Sequence, residues 1–234
     1  NSFINFVELY KKNKLPNKIL LSGQKGIGKS TLVYHFINFV LSSDEELRYD
    51  LKNFLINKNN KSFKLVLNKS NPNLKLIDVT PEKKSIDISQ IRNLINDLNK
   101  SSLNNKPRFV LIDNIEYLNT NSVNALLKII EEPTQNTYFF LINNNKKILK
   151  TLLSRCLNFK INLTNKQFLE ISENLLGENI HEIINDDLYG YYSTPGKIYS
   201  LSKYAFDNDI NLKNINLKNL LLLSVDNLYY KKDE

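Results

Sequence analysis

The sequence predicts an α/β fold: a parallel β-sheet with helices on both faces, followed by a small all-helical region. Three observations lead there. Short apolar runs of strand type alternate with segments of helical period, a glycine-rich stretch joins the first run to the first long helix, and the strand-type runs cease after Asn162. Parallel strands need crossovers long enough to hold a helix, so this alternation argues against a bundle or a sandwich.

The elements follow in order. Lys18-Ile-Leu-Leu-Ser22, between Pro16 and Gly23, has the composition of a buried strand. Leu32, Val33, Phe36, Ile37, Phe39 and Val40 then recur at helical spacing. Ser43 with Glu46 has the form of a capping box, which predicts a helix carrying Leu47, Leu51, Phe54 and Leu55 until Asn- and Lys-rich chain ends it. Residues 74–79 form the next strand-type run, stopped near Pro81. Asp87 with Gln90 caps a helix through Ile88, Ile91, Ile95 and Leu98, and a polar loop covers 99–107. A strand over 109–112 ends on Asp113, a helix over 122–131 stops before Pro133, and 138–142 gives a further strand. Past Asn162 a Thr164/Gln167 capping box opens a helix through Leu169, Ile171 and Leu175, which places a domain boundary near 162.

Composition excludes several classes. With 234 residues, 41% hydrophobic and 24% charged, the chain can bury the core of one or two domains. No run approaches the roughly 18 apolar residues of a membrane span, and no short apolar segment with basic flanks opens the chain. A cytoplasmic protein without a membrane partner is expected. The one cysteine, Cys156, cannot form an internal disulfide, and with only His35 and His181 beside it neither a structural zinc nor a Cys–His nucleophile is expected. A net charge of +8 favours contact with polyanions through counterion release. The competing reading is a solvated basic surface, since lysine and asparagine are spread along the whole chain.

The chemistry begins at Gly23-Gln-Lys-Gly-Ile-Gly-Lys29-Ser30, which fits G-x-x-x-x-G-K-[ST] between a strand and a helix. In such a loop Gly23, Gln24, Lys25, Gly26, Ile27 and Gly28 let backbone amides and the helix N-terminus approach phosphates, with Thr31 closing the segment. Lys29 reaches the β and γ phosphates of ATP or ADP, and the Ser30 hydroxyl is a ligand for Mg²⁺. Asp113, at a strand end, supplies the carboxylate that a metal site also needs. The following residue is Asn114, whose amide cannot accept a proton; Glu116 is the nearby carboxylate, two positions further on.

Leu153-Ser-Arg-Cys156 is similar to the Ser-Arg-Cys motif of clamp-loader subunits, and Asn124-Ala-Leu-Leu-Lys-Ile-Ile-Glu-Glu-Pro133 resembles the family's N-A-L-L-K-x-x-E-E-P segment. The chain is thereby identified as a member of the AAA+ clamp-loader family over about Leu15 to Leu201. The resemblance implies a nucleotide-binding domain over 1–162, a helical lid over 163–205, and a truncated helical tail or collar start over 206–234. It implies that the Ser-Arg-Cys motif starts a helix at a subunit boundary and that Arg155 acts in trans on a neighbour's ATP. Asn143 stands approximately at the sensor 1 position and Lys197 where a sensor 2 arginine lies. Hydrolytic members carry Glu where this chain has Asn114. Motor subunits of the gamma/tau type carry a four-cysteine zinc module that is absent here, and Ser193-Thr-Pro-Gly-Lys197 is similar to a segment of the delta prime branch. That branch implies a part in the DNA polymerase III holoenzyme alongside gamma/tau and delta subunits, with the sliding clamp and primed DNA as further partners. An active gamma/tau-type ATPase using Glu116 is the alternative, and a P-loop kinase the more distant one. Leu217 to Leu223 suits either a collar helix or a lid helix packed on its own core.

Overall fold

The computed structural model describes residues 2–79, 85–100 and 104–226. It contains two compact units, one of Asn1–Gly23 with Lys29–Ile161 and one of Gln24–Gly28 with Asn162–Glu234. Along the first unit run α1 (Ser2–Lys11), β1 (Lys18–Ser22), α2 (Lys29–Leu41), α3 (Lys61–Leu67), β2 (Leu74–Ile77), α4 (Ile88–Leu98), β3 (Arg108–Ile112), α5 (Thr120–Glu131), β4 (Thr137–Asn143), α6 (Lys150–Leu153) and β5 (Leu157–Lys160). The second unit adds α7 (Asn165–Leu176), α8 (Ile180–Ile183), α9 (Asp186–Tyr191), α10 (Pro195–Asp207) and α11 (Leu217–Asp226).

The five strands form one parallel sheet in the order β2-β3-β4-β1-β5. Successive side chains of a strand point to opposite faces, and both faces are covered here, which is why the central strands are apolar throughout. Leu20, Val110, Ile112, Phe139 and Leu141 share a core with Ile91, Leu94 and Leu98 of α4 and Leu126 and Ile130 of α5. The alternate residues Phe109 and Phe140 meet Phe36 of α2, and Phe140 also meets Phe6 of α1, at ring-centroid separations of 5.6–6.3 Å. Phe36 is fully buried among these rings. Its truncation to alanine would cost about 3–5 kcal/mol of stability.

Capping accounts for several helix starts. The Asp87/Gln90 and Thr164/Gln167 boxes are both formed, so orphan amides of the first turn of α4 and α7 find acceptors. Gly177 ends α7 with φ 76°. Helix α5 begins two residues before the expected 122 because Asn119 is its cap, accepting from Ser122 N at 2.8 Å.

Three expectations are corrected. Residues 43–59 hold turns and an Asp50–Leu55 bridge instead of a helix. Asp50 Oδ1 accepts from the amides of Lys52 and Asn53, Phe54 has φ 55°, and Leu47 and Leu55 remain exposed, so local side-chain hydrogen bonds displaced the helical pattern. Glu45 accepts from Lys61 N and Ser62 N, at the start of the unanticipated helix α3. The strand expected over 74–79 ends at Ile77, and Pro81, its expected stop, lies outside the described residues. Elements α1, α6 and β5, like α3, were not anticipated. The Ser-Arg-Cys segment does not start a helix: Ser154 is the C-cap of α6, and β5 follows Cys156 directly.

The core of the second unit gathers Phe168, Ile180, Ile184, Leu188, Ile198, Leu201 and Tyr204. Leu220 is buried there and Leu217 packs beside it, so α11 uses one face on this unit's own core while Leu221, Leu222 and Val225 stay exposed. Among the described residues no helix is long and apolar enough to cross a membrane.

Candidate functional site

In the parallel arrangement the ends of β1, β3 and β4 lie side by side, and the side chains that follow them converge. Lys29, the first residue of α2, is 4% exposed, and its ammonium donates to Gly23 O at 2.9 Å and to Asn144 Oδ1 at 2.9 Å. Burial lowers its pKa, while the charges of Asp113 and Glu116 act in the opposite direction. Ser30 Oγ donates to Asp113 Oδ2. Burial pushes the Asp113 carboxyl up; the Ser30 hydrogen bond opposes this and the neighbouring charge of Asp78 adds to it.

Asn114 has φ 56° and ψ 46°, a left-handed conformation that asparagine tolerates better than most residues. Its Nδ2 donates to Asp78 Oδ1 at 2.7 Å, and its Oδ1 accepts from Asn144 Nδ2 at 2.7 Å. Asn144 Nδ2 also donates to Glu116 Oε1 at 3.0 Å, and Asn144 N to Glu116 Oε2 at 3.3 Å. A continuous polar network therefore runs from Lys29 through Asn144 to Asn114 and Asp78.

Two members of this network were missed by sequence reasoning. Asn143, the expected sensor position, donates to Lys146 O at 2.9 Å and accepts from Lys146 N at 3.2 Å, closing the turn after β4. Asn144, one residue later, reaches Lys29 instead. Asp78 carries no local motif; only the parallel pairing of β2 with β3 sets it beside Asn114.

The rest of the glycine loop packs in the second unit. Gly26 and Gly28 have φ 88° and 89°, conformations that favour glycine. Thr194 Oγ1 donates to Lys25 O at 2.9 Å and Gly196 N to Gly26 O at 2.8 Å. A Cβ on Gly196 would lie 2.8 Å from Gly26 Cα, so neither glycine has room for a side chain. Lys197 is exposed in the first turn of α10, while Gln24, Lys25, Gly28 and Thr31 are also exposed. Gly23 is buried at the end of β1, its amide donating to Asn143 O at 3.2 Å, and Ile27 is half-buried.

Arg155 stands elsewhere in the first unit, between α6 and β5. Its side chain is 35% exposed and pairs with Glu131 at 2.5 Å. Cys156 is partly buried, and burial pushes its thiol up to about 11, which leaves it protonated near neutral pH.

A strand, a glycine loop and a helix opening on Lys29 and Ser30, with a strand-end aspartate on that serine, define a P-loop α/β domain of the AAA+ type. Two solved structures from Thermotoga maritima share this fold: a DNA polymerase III gamma subunit-related protein (TM-score 0.51, 18% identity, covering 84% of this chain and 57% of that one) and the RuvB Holliday junction branch migration motor (TM-score 0.51, 18% identity, covering 90% and 62%). A sequence model of the family described as "DNA polymerase III, delta subunit" matches residues 1–165, and the chain belongs to that family. Its relatives include DNA polymerase III subunit delta' of Buchnera aphidicola subsp. Baizongia pistaciae, 34% identical over 62% of this chain and 44% of the relative. DNA polymerase III subunit gamma of Buchnera aphidicola subsp. Schizaphis graminum is 32% identical over 54% of this chain and 38% of the relative. The chain thus spans less than half the length of these relatives.

Proposed function

We propose that the chain acts as a delta prime-type clamp-loader subunit of the DNA polymerase III holoenzyme in the cytoplasm. It binds ATP or ADP with Mg²⁺, hydrolyses ATP slowly, and donates Arg155 to the nucleotide of a neighbouring gamma/tau subunit. With a delta subunit it helps place the sliding clamp on primed DNA. The observation that carries this reading is Asn114, an amide held on both sides by Asp78 and Asn144 at the place where a hydrolytic site requires a carboxylate.

The donor set fits the cofactor. Ser30 Oγ and an Asp113 oxygen already meet, as two oxygen ligands of a hydrated Mg²⁺ would, and the Lys29 ammonium is held at the start of α2. Bound Mg²⁺ would neutralise phosphate charge; Lys29 would hold phosphate oxygens, and Asn144 would keep the lysine in place. The Asn114 amide cannot take a proton from an attacking water, and the nearby Glu116 carboxylate has both oxygens engaged by Asn144. That proximity favours, as a second reading, a gamma-type ATPase in which Glu116 is the base.

Co-purification of the full-length protein from its native cells tests the assignment. Gamma/tau and delta subunits are expected in the same complex. Recovery without any polymerase III subunit, from cells in which those subunits are present, would overturn it.

A further inference from the structure

The Glu131–Arg155 pair has a geometry that an incidental surface pair does not need. One oxygen, Glu131 Oε1, accepts from Nε at 2.6 Å and from Nη2 at 2.5 Å, and the Thr151 carbonyl accepts from Nη1 at 3.0 Å. A guanidinium has five N–H groups. These contacts take one from each nitrogen, so among the described residues one donor remains on each of Nη1 and Nη2. Two such donors form the planar fork that accepts a pair of phosphate oxygens.

The two acceptors belong to different elements. Glu131 is the last residue of α5, and Thr151 lies in α6, four residues before the arginine. Together they fix the plane of a long side chain that remains 35% exposed. The surroundings are those of a contact surface: Leu149, Leu153 and Leu157, which flank Arg155 in sequence, are 45%, 38% and 52% exposed, and β5 is an edge strand. A carboxylate acting as a latch would occupy the terminal fork. Glu131 instead takes the side edge formed by Nε and Nη2.

We propose that Glu131 is a positioning residue for Arg155, holding the guanidinium so that its two remaining donors are preset for a phosphate of the neighbouring subunit's nucleotide. The inference rests on the trans role of Arg155 proposed above. Preorganisation of this kind raises kcat without tightening nucleotide binding, because the fork engages charge that develops during phosphoryl transfer.

The test uses the complex assembled from full-length subunits with clamp and primed DNA, its composition checked by co-elution. ATP turnover is measured for wild type, Glu131→Gln, Glu131→Asp, Arg155→Ala and the Glu131→Gln/Arg155→Ala double variant. Glu131→Gln is expected to lower kcat about 10-fold with KM unchanged. Glu131→Asp, which keeps the charge but shortens the reach, is expected to lose activity in the same direction. The double variant is expected to match Arg155→Ala alone, since two residues acting as one unit are not additive. Wild-type or raised turnover in Glu131→Gln, or a double variant carrying the product of both losses, would overturn the positioning role while leaving Arg155 in trans. Unchanged turnover in Arg155→Ala would overturn the trans role itself, and the inference with it.

Discussion

Lys29 and Arg155 are both cations held by oxygen acceptors, yet they are held in opposite ways. Lys29 is 4% exposed and is enclosed by Gly23 and by the amide network of Asn144 and Asn114, all from its own unit. Arg155 leaves 35% of its side chain to solvent and is gripped along one edge. A buried point charge serves a ligand bound by the chain that carries it. An exposed planar fork, fixed at its rear, suits a ligand brought by another molecule. Under the proposed function, one chain would thus present a nucleotide site of its own and a cation for a different one.

The largest expected effect breaks the first half of that contrast. Lys29→Ala should weaken ATP binding by the full-length chain about 100-fold, the scale of a lost charge-assisted contact. Isothermal titration with Mg²⁺, on protein shown to be folded by circular dichroism, measures it. Equal affinity of mutant and wild type would mean that the loop is a structural turn and that the contrast has no functional content.

A middling effect sharpens the role of Asn114. Isolated wild-type chain should turn over ATP slowly, and Asn114→Glu should raise the single-turnover rate about 10-fold by supplying a group able to accept a proton. The gain is bounded because Asp78, now hydrogen-bonded to the amide, would face a second carboxylate. A wild-type rate that is already fast, and is abolished by Glu116→Gln, would favour the gamma-type reading.

The smallest effect calibrates the Arg155 pair against an ordinary one. Asp97 contacts Lys75 at 2.6 Å and Lys100 at 2.7 Å, with side-chain exposures of 31%, 40% and 72%. Hydrogen bonds from Lys100 and Lys75 bring its carboxyl down to about 2. A depressed carboxylate pKa adds stability that is present above the unfolded value near 3.8 and is lost as pH falls toward 2. For an exposed pair this amounts to about 0.5 kcal/mol. The melting temperatures of wild type and Asp97→Asn should therefore differ slightly at pH 6 and converge as the pH is lowered through roughly 4 to 2. A difference that persists or widens in acid would assign the loss to packing rather than to charge.

What the sequence made legible was whatever depends on local pattern. The strand–glycine loop–helix unit, the central strands and the boxes at Asp87 and Thr164 all came from residue type and spacing, and the fold confirms them. The failure at 43–59 has the same origin: Ser43 and Glu46 carry a capping pattern, but Asp50 offers the backbone a competing turn and Phe54 leaves the helical region. Strand β5 escaped notice because an edge strand of Leu-Asn-Phe-Lys has little apolar signal. Asn144 lay one residue beyond the expected sensor position, and a single step along the chain after β4 decides whether an amide closes a turn or meets Lys29. The pairings of Asp78 and of Glu131 were not visible, since their partners are 36 and 24 residues away and only the folded chain brings them together.

The strand order carries a consequence for how the protein is made. Lys18 of β1 pairs with Phe139 of β4, and Ile19 with Leu157 of β5, so β1 has both its sheet neighbours far downstream in the chain. Closing loops of that length precedes any gain from the contacts, which makes such sheets slow to assemble. On the ribosome, the Ile-Leu-Leu centre of β1 must wait, unpaired, until the chain through β4 has emerged. At about 5–20 residues per second that interval lasts on the order of 10 seconds, during which a bare apolar strand is exposed to misassociation and chaperones have a substrate.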